Sequence, residues 1–418
     1  MKLTNYLYTA FLFASCATSH NATDVVQENN FAEREMSINS SVSESNAAQS
    51  QEISESRSSS EINRFAFSLF EQIYKSDSEA NICISPTSAS AAISMVANGA
   101  EGNTLEQILH TLSAANLDEL NNRKIIGEQA PTDDTTLKSA NSIWVNENQP
   151  VKEKFIEVNK LHHDAQISNV PFNANTVAAI NDWCSQQTNG KINNILDKLD
   201  ENSRMILINA LYLKGRWGCE FNESSTYDER FTKPDGTTTD VKMMHQTLTT
   251  GYSMDSNVRI VAMPFINSNI EVQFILPQQG TSIGEAASHL AANYHTLNSN
   301  MNRQKIKLSL PRFKVDYKKS LKDALTAMGM SDAFSNKANF KGISDEPLLI
   351  NDVFQKTYIK VDEKGAEAAA VTAIMVGLMS SRPTKPIEVK FNRPFIYTIV
   401  DKSSNNILFI GAINNPIE

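Results

Sequence analysis

The chain has 418 residues and a mass of 46.3 kDa, room for one large domain or two ordinary ones. Hydrophobic residues make up 41% of it, ample for a real core. The formal charge of -9 argues against nucleic acid, because Lys and Arg are neither in excess nor gathered into a phosphate-binding stripe.

Lys2 is followed by the apolar run Leu7 to Ala14 and then by Ser15-Cys16, the layout of a secretion signal. The run is too short to span a bilayer permanently. Phe13-Ala14-Ser15-Cys16 resembles a bacterial lipoprotein cleavage box, with Cys16 as the lipidated first residue; simple secretion with cleavage near Ala17 is the alternative. Both predict a secreted or cell-surface protein, in the first case tethered to an outer membrane by lipid. From Ala17 to Ser60 the chain is rich in Ser, Asn and Glu with no periodic apolar face. It buries too little to offset its ordering entropy, so a flexible tether is expected.

From Glu61 to Glu418 there is no repeat and no linker-like shift in composition. Asn63 to Tyr74 carries apolar residues at helical spacing, Ile82-Cys83-Ile84 reads as a short strand, and Ser88 to Ala97 reads as a small-residue helix suited to close packing. Helices are also expected over Thr104 to Leu112, Phe155 to Leu161, Val177 to Gln187 and Leu321 to Met328. Strands are expected at Met205 to Leu213, Val258 to Pro264, Glu271 to Leu276, Lys305 to Leu310 and Leu348 to Val361. Phe395 to Val400 and Ile407 to Ile413 read as a closing hairpin around Ser403 to Asn406. Helices and long antiparallel strands mixed in this way predict one α+β domain.

Catalytic and metal chemistry has no visible carrier. His110, His162, His163, His245, His289 and His295 are scattered, and there is no His-Glu-x-x-His spacing, no Gly-x-Ser-x-Gly elbow and no phosphate loop. His162-His163 and the acidic pairs Asp118-Glu119 and Asp133-Asp134 read as solvated. Cys83, Cys184 and Cys219 cannot close a disulfide framework, so buried free thiols are preferred over a single bridge. No catalytic residue, metal or cofactor is assigned.

Glu363 to Arg382 is the most informative stretch. In a strand, Ala366, Ala368, Ala370 and Thr372 would share one face, all small enough to slide over an existing core, with Glu367, Ala369 and Val371 on the other. Gly365 supplies a permissive pivot. An Ala-rich helix is the competing reading of Glu363 to Ala373. It fails downstream, where Val376, Gly377, Ser380, Ser381, Pro383 and Pro386 make a protease-accessible loop.

Several motifs in order now carry a resemblance: Asn81-Ile-Cys-Ile-Ser-Pro-Thr-Ser88, Asn181-Asp-Trp-Cys184, Thr188-Asn-Gly-Lys-Ile192 and Asn209-Ala-Leu-Tyr-Leu-Lys-Gly-Arg-Trp217 with Phe221. Leu310-Pro-Arg-Phe313, Val361-Asp-Glu-Lys-Gly-Ala-Glu-Ala-Ala-Ala370 and Val389-Lys-Phe-Asn-Arg-Pro-Phe395 follow. Over roughly Glu61 to Glu418 the chain resembles a serpin, a trap for serine and sometimes cysteine proteases. The resemblance implies three β-sheets, eight to nine helices and an exposed reactive-centre loop at about 363–388. It also implies a monomeric, metastable protein whose cleaved loop inserts into the largest sheet and carries the acylated protease with it.

On that resemblance Glu363, Gly365, Ala366, Glu367, Ala368, Ala369, Ala370 and Thr372 form the hinge. The family's usual spacing puts the scissile bond at Met379-Ser380, with Leu378 and Ser380 as alternative cleavage residues. Arg382 is a poorer candidate because Pro383 follows it. Met at that position suits elastase-, chymotrypsin- or subtilisin-like enzymes, with papain-like cysteine proteases as further partners. Ser85, Ser88 and Asn209 match the region where the sheet must part, Gln355 stands where the family usually has histidine, and Trp217 matches the tryptophan near the insertion point. A non-inhibitory binding protein or a mere protease substrate is the rival reading.

Overall fold

The computed structural model describes residues 60–123, 134–366 and 385–416. The signal, Cys16 and residues 17–59 of the tether lie outside the described residues. So do Glu367, Ala368, Ala369, Ala370, Thr372, Leu378, Met379, Ser380 and Arg382. Ser60, read from sequence as the tether's last residue, is already helical.

Eight α-helices occur among the described residues: α1 (residues 60–76), α2 (Pro86–Ala97), α3 (Gly102–Thr111), α4 (Leu117–Asn122), α5 (Glu153–His163), α6 (Ala174–Gln187), α7 (Ile283–Ser299) and α8 (Lys322–Ala327). The strands of the first half are β1 (Ile82–Ile84), β2 (Thr135–Asn146), β3 (Gln166–Val170), β4 (Met205–Arg216), β5 (Thr226–Thr232), β6 (Thr238–Met254), β7 (Val258–Pro264) and β8 (Ile270–Pro277). Those of the second half are β9 (Asn302–Pro311), β10 (Phe313–Ser320), β11 (Ile350–Val361), β12 (Gly365–Ala366), β13 (Ile387–Lys390), β14 (Phe395–Asp401) and β15 (Asn406–Ile413).

They form a six-stranded sheet in the order β10-β11-β12-β4-β2-β3, in which β11 also pairs with β4. The rest form a nine-stranded sheet, β1-β15-β14-β8-β7-β6-β9-β13 with β5 on β6. Three sheets were expected; hydrogen bonds join two of them because β6 runs for 17 residues. Its early residues pair with β5, most of its length pairs with β9, and its last three pair with β7.

The apolar run of β4 explains where the cores sit. Met205, Leu207, Leu211 and Leu213 enter the main core, while Ile206, Ile208 and Ala210 enter a second cluster with Ile180, Trp183 and Cys184 of α6. A strand covered on both faces loses the polar alternation of a half-exposed one. Helix α2 lies against the main-core face. Its small residues let it approach closely, and eleven of its twelve are buried. Ser85 caps it by accepting from the Ser88 N–H, and Pro86 sits at the start of the helix, where a missing N–H costs nothing.

Candidate functional site

Strands β4 and β11 are remote in sequence and run parallel, with Met205 to Tyr212 in register against Ile350 to Tyr358. At the head of this seam the ladder splits. Ala366 pairs with Val361 on one side and Gly215 on the other, antiparallel to both. A chain continuing from Ala366 down the seam would exchange one parallel ladder for two antiparallel ones, the slightly stronger pairing per residue. Ala366 is fully buried in the main core, and the period of two would send Ala368, Ala370 and Thr372 to the same face.

Glycine is required at this entrance. A Cβ on Gly365 would lie 2.0 Å from the Gly215 carbonyl oxygen and 2.8 Å from Arg216 Cα. One on Gly215 would lie 2.4 Å from the Phe265 ring. Gly365 opposite Arg216 and Gly215 opposite Ala366 therefore leave the room that β12 occupies between β11 and β4.

The turn before Gly365 is clamped from several directions. Trp217, its ring tilted against Phe265 with centroids 5.1 Å apart, donates its indole N–H to the Asp362 carbonyl at 2.9 Å and its backbone N–H to the Lys364 carbonyl at 2.9 Å. The Phe221 N–H donates to the Glu363 carbonyl at 2.9 Å. The Glu363 side chain is only 5% exposed and accepts twice from Arg312 Nε, at 2.8 and 2.9 Å, and once from Nη2 at 2.6 Å. Thr226 Oγ1 donates to the same carboxylate at 2.6 Å. Burial pushes the Glu363 carboxyl up, but Arg312 and Thr226 together hold it below the ordinary carboxylate value.

The middle of the seam is bridged by uncharged groups. Gln355 on β11 is in register with Asn209 on β4, and Asn209 with Asn141 on β2. Gln355 Nε2 donates to Asn209 Oδ1 at 2.6 Å and to the Ser85 carbonyl at 2.9 Å, while its Oε1 accepts the Ser85 N–H at 2.8 Å. Asn209 Nδ2 donates to Asn141 Oδ1 and Ser88 Oγ. Ser88 Oγ lies 3.2 Å from Ser139 Oγ, and Ser85 Oγ donates to the Leu408 carbonyl at 2.6 Å. Three strands and the start of α2 thus share one network, buried at Gln355, Asn209, Ser85 and Ser88 and part-exposed at its β2 end.

Residues 60–416 match the family described as Serpin (serine protease inhibitor). The chain belongs to the serpin family. A serpin-like protein of the archaeon Methanosarcina acetivorans is 34% identical over 372 residues, 85% of this chain and 87% of that protein. Human Serpin B3 is 32% identical over 84% of this chain and 98% of its own length. Among solved structures, the native state of the thermophilic serpin tengpin superposes with a TM-score of 0.79 at 32% identity, covering 86% of this chain and 93% of that one. Human thyroxine-binding globulin complexed with its ligand gives 0.77 at 26% identity, covering 87% and 100%. The α+β serpin fold expected from the motifs is the fold observed, and the class is one of non-catalytic inhibitors.

In this serpin the structure brings Ser85, Ser88, Asn209 and Gln355 into one network and sets Trp217 beside Glu363, Gly365 and Ala366. Sequence reasoning missed Arg312, Thr226, Asn141 and Ser139. Arg312 lay inside a quoted motif, at the break between β9 and β10, but its partner is 51 residues away. Asn141 and Ser139 sit on a strand too polar to announce itself.

Three solvated readings need correction, the first being Glu119, which is paired with the buried Arg123 side chain at 2.5 Å and accepts the Ala115 N–H at 2.8 Å. His163 is half-buried and bonded to Asn121 Oδ1 at 3.0 Å, and burial pushes its pKa down to about 4. Asp134 is paired with Arg216 at 3.3 Å, because β4 carries Arg216 past the start of β2. Cys83 and Cys184 are buried free thiols, with burial pushing their pKa values up to about 11 and about 12, away from nucleophilic thiolate. Cys219 is free but exposed, so the reading of buried thiols does not hold for it. Among the described residues no three His, Cys, Asp or Glu side chains are grouped to hold a metal.

Proposed function

We propose that this serpin is a suicide-type inhibitor of serine endopeptidases that traps the acyl-enzyme by inserting its cleaved loop between β4 and β11. The supporting observation is β12: two residues of the hinge already stand in the sheet, antiparallel to both parallel neighbours, with Ala366 buried. The seam below them closes by one parallel ladder and by an amide network that can part without stranding a charge. Trapping is a race between insertion and deacylation, so small side chains along Ala366 to Thr372 favour the inhibitor outcome. Met379-Ser380 is the bond we assign to cleavage, which directs the protein to elastase-, chymotrypsin- or subtilisin-like enzymes with papain-like enzymes as secondary targets. The N-terminal sequence further leads us to propose a secreted protein, lipidated at Cys16 and tethered to a membrane surface.

Mixing the protein with an elastase-like, a subtilisin-like and a papain-like protease, followed by denaturing electrophoresis, tests the inhibitor reading. A covalent adduct that survives denaturation is expected with the serine enzymes. Cleavage without adduct in every mixture would refute trapping and leave a substrate or binding protein. Mass spectrometry of the released C-terminal peptide identifies the bond.

A further inference from the structure

Beside the Glu363–Arg312 pair lies a cavity of about 270 Å³. Its wall carries four cations, Arg312, Lys314, Lys360 and Lys364, against three carboxylates, Glu223, Asp362 and Glu363. Arg312 is committed to Glu363 by three short hydrogen bonds. The lysines are held loosely. Lys360 reaches Asp362 only at 3.5 Å and Lys364 reaches Glu223 only at 3.9 Å. Lys314 lies over the Tyr358 ring, 5.5 Å from its centroid. The lysine heads are accessible as well, Lys360 being 46% and Lys364 36% exposed.

The three lysines also stand on both sides of the seam. Lys314 is on β10 and Lys360 on β11, which pair over Phe313–Ser320 and Phe354–Val361. Lys364 belongs to the turn tied to the β4 side through the Trp217 and Phe221 amides. The cavity is smaller than the roughly 300–1,000 Å³ of sites for drug-sized ligands. It has room for a small ion, and ammonium groups are strong donors to phosphate oxygens.

We propose that this cavity binds a small phosphate-like oxyanion through Lys314, Lys360 and Lys364. The anion replaces the loose contacts to Asp362 and Glu223 with shorter charge-assisted bonds. Because those bonds connect β10 and β11 to the β4 side, the occupied protein resists further opening of the seam. Binding itself is independent of the inhibitor reading; the slowing of loop insertion rests on it.

Calorimetric titration of the full chain with inorganic phosphate, at ionic strength held constant with chloride, reads the site directly. Saturable binding in the millimolar range is expected, with an apparent thermal midpoint raised by about 2 °C at saturation. Lys314→Gln combined with Lys360→Gln should weaken it at least tenfold. Phosphate also stabilises proteins generally by exclusion from their surfaces, but that rise does not saturate and the double variant would share it. No saturable heat, or equal affinity in the double variant, overturns the proposal. In the same buffers phosphate should slow adduct formation with a subtilisin-like protease. If no adduct forms under any condition, the inhibitor reading fails while the binding result stands.

Discussion

The head and the middle of the β4–β11 seam hold the same two strands by opposite chemistry. At the head a half-buried ion pair, Glu363–Arg312, and an indole clamp fix a turn that is already part of the sheet. In the middle, the buried Gln355 and Asn209 join the part-buried Asn141 in a network without formal charge. The difference follows from what each place must do. Under the proposed insertion the head, already in the sheet, would keep its turn and could hold a strong, fixed interaction. The same proposal requires the middle to part and pair again, and a buried ion pair broken there would leave uncompensated charge worth several kcal/mol. Amides can exchange partners with an arriving backbone at far smaller cost.

Ala366→Arg breaks the comparison most severely. It places a long cation where the native side chain is fully buried between Val361 and Gly215. Adduct yield is expected to fall more than tenfold while loop cleavage persists, since an unpaired buried charge opposes further insertion. Gel densitometry of adduct against cleaved product measures it. Undiminished adduct would contradict entry at this point.

Gln355→Leu should be next in size. It preserves volume but strands the Ser85 N–H and Asn209 Oδ1 in a buried place; the Ser85 carbonyl keeps the Ala89 N–H as partner. Two unsatisfied buried groups cost about 3 kcal/mol together. Urea unfolding would report the loss, and it should be the same from pH 8 to pH 5 because none of the groups titrates in that range. A loss that varied strongly with pH would show that the network is not the neutral one described.

The two regions also differ in how far they could be read from the residues alone. Gly365 and Ala366 could be read as strand residues, because small side chains at period two fit beside an apolar strand, and they stand in the sheet as β12. Ser85, Ser88, Asn209 and Gln355 could be placed by resemblance, but not their contacts. The Gln355 side chain spans 270 residues to reach Ser85, and no local pattern encodes that distance. Strand β2 was invisible for a related reason. Lys138, Ser139, Asn141 and Ser142 hide its alternation, since some of its polar residues face the network rather than solvent. The long strands with covered faces, β4 and β11, were legible almost to their ends.

Glu363→Gln sharpens the contrast at the head. Removing the charge leaves Arg312 with a weaker neutral acceptor, a loss of about 1–2 kcal/mol for a pair whose cation is partly solvated. The folded carboxyl lies below its ordinary value of 4.5, so its stabilisation is fully present above that value and disappears as pH falls through the folded pKa. Wild type and variant should therefore differ at pH 7 and converge in acid below about pH 4.5. Thermal unfolding across pH 3 to 8 checks this, and a constant difference would mean that the ion pair is not its source.

Helix α2 links the neutral middle of the seam to a titrating group at its other end. Asn98, its C-cap, exchanges side-chain hydrogen bonds with Asn121 at 2.8 and 3.0 Å and donates to Asn159 at 3.3 Å. Asn121 Oδ1 accepts from Asn98 and lies 3.0 Å from His163 Nε2, which fixes the proton on Nε2. Burial first, and the neighbouring His162 second, hold His163 neutral down to about pH 4. Unfolded, it would take up a proton near pH 6.5. Between those values the unfolded chain binds the extra proton, so stability falls as pH drops through the window and His163 adds no further loss below it. His163→Gln removes this dependence. Its stability should change less than that of wild type between pH 7 and pH 5, by about 1 kcal/mol once solvent screening at a partly exposed ring is allowed for. Urea midpoints at the two pH values decide it, and identical slopes in both proteins would place the acid sensitivity elsewhere than at the foot of α2.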